Sequence, residues 1–359
     1  MPSSSLRPLP LVGRPLVDEI VIRSLPKAEV HVHLEGSFEL ADLLELAREA
    51  GAPLPGPAAT LFDVETHALP QDSRSGSAGL SAFLRFLDWE CGLIRTTSQA
   101  SRAAYRFAAH QSASGIRYTD VIINPTHWAG WAGTLPALFD ALAAGFDEAE
   151  QDGLCVVRIA VSLLRTQSAS EARELVEWII ADRPRHVVAL SVDGNESAAG
   201  RTGEKFSEAF GMARDAGLHR TVHAGESSGP EGVWDALQLL HAERIDHGVR
   251  SIEDPRLIEH LVETGTPLGI CPSSNVTLGL YPSLGEHPVG ALRAAGVTVT
   301  VNTDDPAPIG TRLEHEWAAT ANAFGWDEAA TIELARASIV ASFAEPELKS
   351  ALLAELDAR

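Results

Sequence analysis

Eight short runs rich in Val, Ile, Leu or Thr recur along the chain, separated by Ala- and Leu-rich segments of helical periodicity. No other feature narrows the fold as much. The runs are AEVHVHL from Ala28, IRYTDVIIN from Ile116, CVVRIAVSLL from Cys155, HVVALSV from His186, HRTVHAG from His219, ERIDHG from Glu243, TPLGICP from Thr266 and GVTVTVNTDD from Gly296. Each ends in polar residues, Gly or Pro, as strands do where they enter turns. The intervening segments carry helix stop signals: LADLLELAREAG from Leu40 closes on Gly51, and ASEARELVEWIIADRP from Ala169 ends before Pro184. Strand and helix alternating to eight strands predict a closed parallel (β/α)8 barrel of TIM type with helices outside. A doubly wound open sheet is the competing arrangement. The count of eight, and the polar chemistry at nearly every strand's C-terminal end, favour the barrel. A length of 359 residues and a hydrophobic content of 45% are enough for a core of that size.

The connection after the first strand is the longest, about 80 residues between Glu35 and Gly115. It holds a polar stretch, LPQDSRSGSAG from Leu69, and then an apolar one, LSAFLRFLDWECGLI from Leu80. This predicts an inserted lid helix region at the active-site face, with an extra packing helix as the alternative. Extra C-terminal helices are expected from about Asp327 to Arg359. Residues 1–20, with prolines and charges in place of a signal peptide's apolar run, read as a flexible tail, and residues 21–359 as a single domain. Cys91, Cys155 and Cys271 are widely spaced without a Cys-X-X-Cys step, so they read as buried small hydrophobes in a reducing, cytoplasmic setting. A net charge of −21 repels phosphate backbones and anionic membranes. No nucleic acid and no membrane partner is expected, a small neutral or cationic substrate is compatible with that charge, and oligomeric state is left open.

His31 and His33 stand two apart on the first strand, so they project from one face while Val30 and Val32 project from the other. That is half of a metal site, or one solvated face of an exposed strand. The other strand ends decide between these. The fifth run supplies His223 and Glu226, the sixth Asp246 and His247, and the eighth Asp304 and Asp305. At the C-terminal mouth of a barrel these groups converge. Three histidines and a carboxylate make a zinc site with a position left for water. The expected ligands are His31, His33, His223 and Asp304, the carboxylate ranking below the histidines. The remaining histidines among the 13, including His219, His127 and His287, read as structural.

This ordered set resembles the adenosine deaminase family of the amidohydrolase superfamily, through PKAEVHVHLEGS, VVALSVDGNE, HRTVHAGE, RIDHGVR, CPSSNVTLG and VNTDDP. The resemblance spans Ser24 to about Leu348. It implies hydrolytic loss of ammonia from C6 of a 6-aminopurine: adenosine, or a ribose-modified adenosine such as 2'-deoxyadenosine, going to the inosine product. Free adenine is the second reading. A non-catalytic adenosine-binding zinc protein is the alternative from another class, and an amide or ester hydrolase is another enzyme reading. The family's roles fall on Glu226, which protonates N1, and His247, which orients the attacking hydroxide. Asp304 is both ligand and catalytic group, Asp305 bonds N7, and Gly194 offers its N–H to N3. Two-metal members of the superfamily carry a lysine at the end of strand four, and VVALSVDGNE has none, so one zinc is expected.

Glu35 stands where adenosine-specific members carry Asp facing the ribose, and relatives acting on adenine often carry Glu there. DGNE, at Asp193 to Glu196, looks like the adenosine branch. His33 and Glu35 would therefore line the substrate site. Leu80, Phe83, Leu84 and Phe86 resemble the family's apolar lid, with core packing as their plain alternative.

Overall fold

The computed structural model describes residues 16–62 and 76–359, and for residues 76–82 the backbone alone. All eight expected strands form: β1 Lys27–His33, β2 Ile116–Ile123, β3 Val156–Leu164, β4 Val187–Asp193, β5 His219–Ala224, β6 Arg244–His247, β7 Leu268–Ile270 and β8 Val299–Val301. Each pairs in parallel with the next, in chain order, as a (β/α)8 barrel requires. The helices between them start and stop on local chemistry. Ser168 and Glu171 form a capping box ahead of Ala169–Asp182, and Gly51 closes Leu40–Ala50 in the left-handed conformation.

Closing the barrel is harder than starting it, because β8 is three residues long. The seam with β1 is completed by the residues that follow β8. Val32 and Asp304 form an isolated parallel bridge. The His33 N–H donates to the Asp304 carbonyl at 2.7 Å, and the Asp304 N–H donates to the His31 carbonyl at 3.2 Å. Further down, the Val30 N–H donates to Asn302 Oδ1 at 3.1 Å. Glu29 is buried beneath the seam, where Oε1 accepts from the Thr303 N–H (2.9 Å) and hydroxyl (2.7 Å) and Oε2 accepts from Gln111 (2.7 Å).

The opposite side is looser. β4 meets β5 only through Ala189–His219 and Leu190–Arg220, in the middle of β4 and at the start of β5. Inside the barrel, Ile122, Ala160, Ala189 and Phe343 pack together. Arg244 on β6 donates across the interior to Asp120 on β2 at 2.8 Å and lies over the Phe343 ring. A buried guanidinium persists when paired and hydrogen-bonded in this way.

The tail expected to reach residue 20 gives way earlier. Val17 is buried, Asp18 caps helix Glu19–Ser24, and that helix packs on Leu313–Phe324. The long excursion after β1 contains helices Leu40–Ala50, Gly76–Leu93 and Thr97–Ala113. The C-terminal pair, Glu328–Ala341 and Pro346–Asp357, lies as expected, and the first of them packs across β1 and β8. Cys91, Cys155 and Cys271 are buried and free. Among the described residues no helix is long and apolar enough to cross a membrane.

Glu29→Ala strands three buried donors at the seam. It is expected to lower unfolding stability by about 3 kcal/mol, read as a fall in the urea midpoint. An unchanged midpoint would show that the seam does not depend on this carboxylate.

Candidate active site

β1 points His31 and His33 the same way, and both reach His223 at the end of β5. His31 Nε2 and His33 Nε2 each lie 3.1 Å from His223 Nε2. Asp304 Oδ1 lies 3.3 Å from His31 Nε2 and 3.4 Å from His33 Nε2. Ligands held 2.0–2.1 Å from a tetrahedral zinc stand roughly 3.3–3.4 Å apart, so these edges suit that ion. Three imidazole nitrogens converging at such range need a proton or a cation between their lone pairs. His31 Nδ1 lies 2.7 Å from the Gly269 carbonyl, which makes Nδ1 the protonated nitrogen and leaves Nε2 free to bind.

The charges are consistent with this donor set. Burial disfavours a charged His31, but the carboxylates of Asp246 and Asp304 outweigh it and raise its pKa to about 9. Burial, and then the neighbouring His31 and His33, hold His223 well below the usual range. Burial would raise Asp304, yet the hydrogen bond and charge of His31 keep it well below the ordinary carboxylate value. Ser274 fixes its other oxygen, donating to Oδ2 at 2.7 Å. A carboxylate surrounded by imidazoles in a dry pocket suits a dication.

Around this cluster stand the other expected groups. Glu226 is buried, and its Oε1 lies 3.6 Å from His247 Nε2. Burial, followed by the charges of Asp304 and Glu196, pushes its pKa up to about 8. His247 sits at φ 65° and Asp304 at φ 66°, left-handed conformations that cost energy in residues with a Cβ. Asp305 is buried against Gly36, where a Cβ would come within 2.0 Å of Asp305 Oδ1. Burial and then the charge of Asp304 raise Asp305 well above the usual range. Gly194, at φ 97°, follows β4 in a place where a Cβ would meet Leu164 at 2.8 Å. Glu35 is buried, with Oε1 accepting from the Asn124 N–H (2.8 Å) and Trp128 Nε1 (2.7 Å). The side chain of Leu80 lies outside the described residues. Phe83 and Phe86 are buried, Leu84 is half-buried, and Phe86 stacks on Trp89.

Several participants escape a reading of the sequence. Glu196 accepts from the N–H groups of Gly225 (3.0 Å), Glu226 (3.0 Å) and Ser228 (3.2 Å), and so holds the loop that carries Glu226. Arg165 spans the gap between β4 and β5 and donates to the His223 carbonyl. Asn124 donates to Asp193 at 2.5 Å. Glu90, on helix Gly76–Leu93, is fully buried, and neither of its oxygens has a hydrogen-bond partner among the described residues. An acid between Trp89 and Cys91 in the largely apolar run WECGLI was the available signal for Glu90. The buried polar cluster CPSSN was the signal for Ser274 and Asn275.

The geometry predicts one divalent ion per chain by elemental analysis after exhaustive dialysis. His223→Ala, which removes the nitrogen shared by both short contacts, is expected to leave less than about a tenth of that content. Two ions per chain, or full loading in the variant, would contradict the single-site reading.

The sequence model described as "Adenosine deaminase" matches residues 26–359. An adenosine deaminase of Klebsiella pneumoniae is 33% identical over 332 residues, covering 92% of this chain and 97% of the relative. An aminodeoxyfutalosine deaminase of Streptomyces coelicolor is 34% identical over 339 residues, covering 94% and 84%. The crystal structure of an adenine deaminase from Arthrobacter aurescens superposes with a TM-score of 0.84 at 27% identity, covering 93% of this chain and 98% of that one. The match runs from the first strand to the last helix and takes in every strand end described above. The chain belongs to the adenosine deaminase family, metal-dependent hydrolases of C–N bonds, and is a deaminase of adenosine- or adenine-like substrates.

Proposed function

We propose that the protein catalyses zinc-dependent hydrolytic deamination of adenosine, or of a ribose-modified adenosine such as 2'-deoxyadenosine, giving the inosine product and ammonia. The observation that carries the nucleoside reading is a pair of buried carboxyl groups whose hydrogen-bonding capacity is unmet among the described residues. Glu35 Oε2 and both oxygens of Glu90 have no hydrogen-bond partner among the described residues. The helix bearing Glu90 packs against Glu35–Ser37, and burial followed by the charge of Glu35 raises Glu90 well above the carboxylate range. Unmet buried polar oxygens are costly, so a ligand whose groups both donate and accept is favoured. A ribose brings hydroxyls, whereas free adenine offers its N9–H alone on that side. Adenine remains the second reading, because the extra methylene of Glu35 could fill sugar space.

His31, His33, His223 and Asp304 would hold the ion, and four nitrogen and oxygen donors at tetrahedral spacing support zinc over magnesium or calcium. Bound there, zinc supplies the Lewis acidity that makes hydroxide available near neutral pH. Every other part is played by the chain. Glu226, protonated near neutrality because it is buried beside like charges, gives its proton to N1 as oxygen adds to C6. The Gly194 N–H would bond N3. Asp305, kept neutral by burial, would donate to N7, so the ring's acceptors meet donors on three sides. Glu226, now a carboxylate, takes the proton of the new C6 hydroxyl and passes it to N6, and the C6–N6 bond breaks to leave the C6 carbonyl and release ammonia. His247 faces the same space and orients the attacking oxygen.

Initial rates on adenosine, 2'-deoxyadenosine, aminodeoxyfutalosine and adenine, in parallel on zinc-replete protein, test the substrate. The nucleosides are expected to exceed adenine by at least about a hundredfold in kcat/KM, and a preference for adenine would reverse the assignment of Glu35. Glu226→Gln is expected to keep its metal and lose about a thousandfold or more in kcat. Unchanged turnover in that variant removes Glu226 from the acid role.

A further inference from the structure

His247 has two ring nitrogens, and its use depends on which one carries the proton. A neutral imidazole donates from one and accepts at the other. One main-chain group outside the pocket settles the question. The Val289 N–H can only donate, and it donates to His287 Nδ1 at 3.2 Å. That nitrogen is therefore unprotonated, and His287 carries its proton on Nε2. His287 Nε2 lies 3.1 Å from Asn275 Oδ1, so it donates there and fixes the orientation of the amide. The Asn275 NH₂ then faces His247 Nδ1 at 3.3 Å and donates to it. His247 Nδ1 is left as an acceptor, and its proton sits on Nε2, the nitrogen 3.6 Å from Glu226 Oε1.

All three side chains are buried, so water does not compete for these bonds: Asn275 and His247 are no more than 1% exposed and His287 is 2% exposed. Burial holds His287 near a pKa of about 3, which keeps it neutral and able to accept from Val289. The parts come from different elements. His247 ends β6, Asn275 lies in helix Pro272–Thr277, and His287 precedes helix Val289–Ala294. Tyr281 packs its ring on His287 at 4.8 Å between centroids, which fixes the plane of the imidazole.

We propose that Asn275 and His287 are positioning residues: from the Val289 N–H inward they fix His247 as the Nε2–H tautomer, so that it donates to the attacking oxygen and does not compete for its proton. This rests on the role given to His247 in the proposed function. The consequence is directional. With Nε2–H pointing inward, His247 holds the oxygen through a lone pair and leaves proton delivery to Glu226. The opposite tautomer would present a bare nitrogen that repels that oxygen.

The test has an arm that does not depend on turnover. ¹⁵N-histidine labelling of the zinc-loaded wild-type enzyme, with the His247 signals assigned by their loss in His247→Gln, is expected to show a protonated Nε2 and a bare Nδ1. A protonated Nδ1 overturns the relay whatever the kinetics. In the kinetic arm, Asn275→Leu and His287→Leu are each expected to lower kcat by about 10- to 100-fold, with KM and zinc content within about twofold. His287→Gln, whose amide N–H can replace the lost donor, is expected to retain kcat within about threefold of wild type. Equal losses in His287→Gln and His287→Leu, or no loss in Asn275→Leu, overturn the proposal. An undiminished kcat in His247→Gln instead sinks the role assigned to His247 and leaves the tautomer measurement to decide the relay.

Discussion

Asp304 lies where the barrel closes and where the histidines meet. Its main chain bonds to β1 on both sides of Val32, and its side chain faces the rings that β1 presents. The spacing of the donor cluster is therefore set by the strand pairing, with no flexible arm between them. A slip of one residue in this register would turn His31 and His33 to the other face of β1 and remove the site entirely. The left-handed backbone at Asp304 carries a conformational cost, and Ser274 and the seam hydrogen bonds hold it there.

A second constraint runs beneath the site. Arg244 bonds Asp120 and lies 3.4 Å from Asp246, whose other oxygen is 3.6 Å from His223 Nδ1. The interior is thus a column of alternating charge from the apolar floor at Phe343 to the ligand cluster. Such a column leaves little room for adjustment, since removing one member strands the next in a low-dielectric core. It also accounts for the orientation of His223, which Asp246 faces from behind.

Much of this was legible in the sequence because it depends on local period. Parity alone paired His31 with His33, and stop signals bounded the strands to within a few residues. The strand-end groups Glu226, His247, Asp304 and Asp305 could be placed in one funnel once eight strands were counted. What could not be read depends on contacts between distant segments. Glu35 and Glu90 are separated by a long excursion, and nothing local says that a helix acid in an apolar run will come to face a strand-end acid. CPSSN marks Asn275 as polar and His287 carries no distinguishing pattern, but the role proposed for both depends on the Val289 N–H, which only the fold brings into line with them. The burial of Val17 and Ile22 could not be read for a similar reason, since helix Glu19–Ser24 packs on helix Leu313–Phe324, far along the chain.

The loose pairing of β4 with β5 divides the sheet into two halves, β1–β4 and β5–β8. Glu35, the Asn124–Asp193 pair and Gly194 sit on loops of the first half, together with the helix that carries Glu90. Glu226, His247, Asn275 and His287 belong to the second. On the proposed assignments the metal ligands come from both halves, His31 and His33 from β1 and His223 and Asp304 from the second, while the acids Glu35 and Glu90 assigned to the sugar side belong to the first. Substitutions can then accumulate among the loops of the first half, altering what hangs from N9, without disturbing the proton chemistry across the gap. On those assignments one proton chemistry would serve whatever group the first half admits at N9, and proteins named for adenosine, adenine and aminodeoxyfutalosine all match this chain along most of its length.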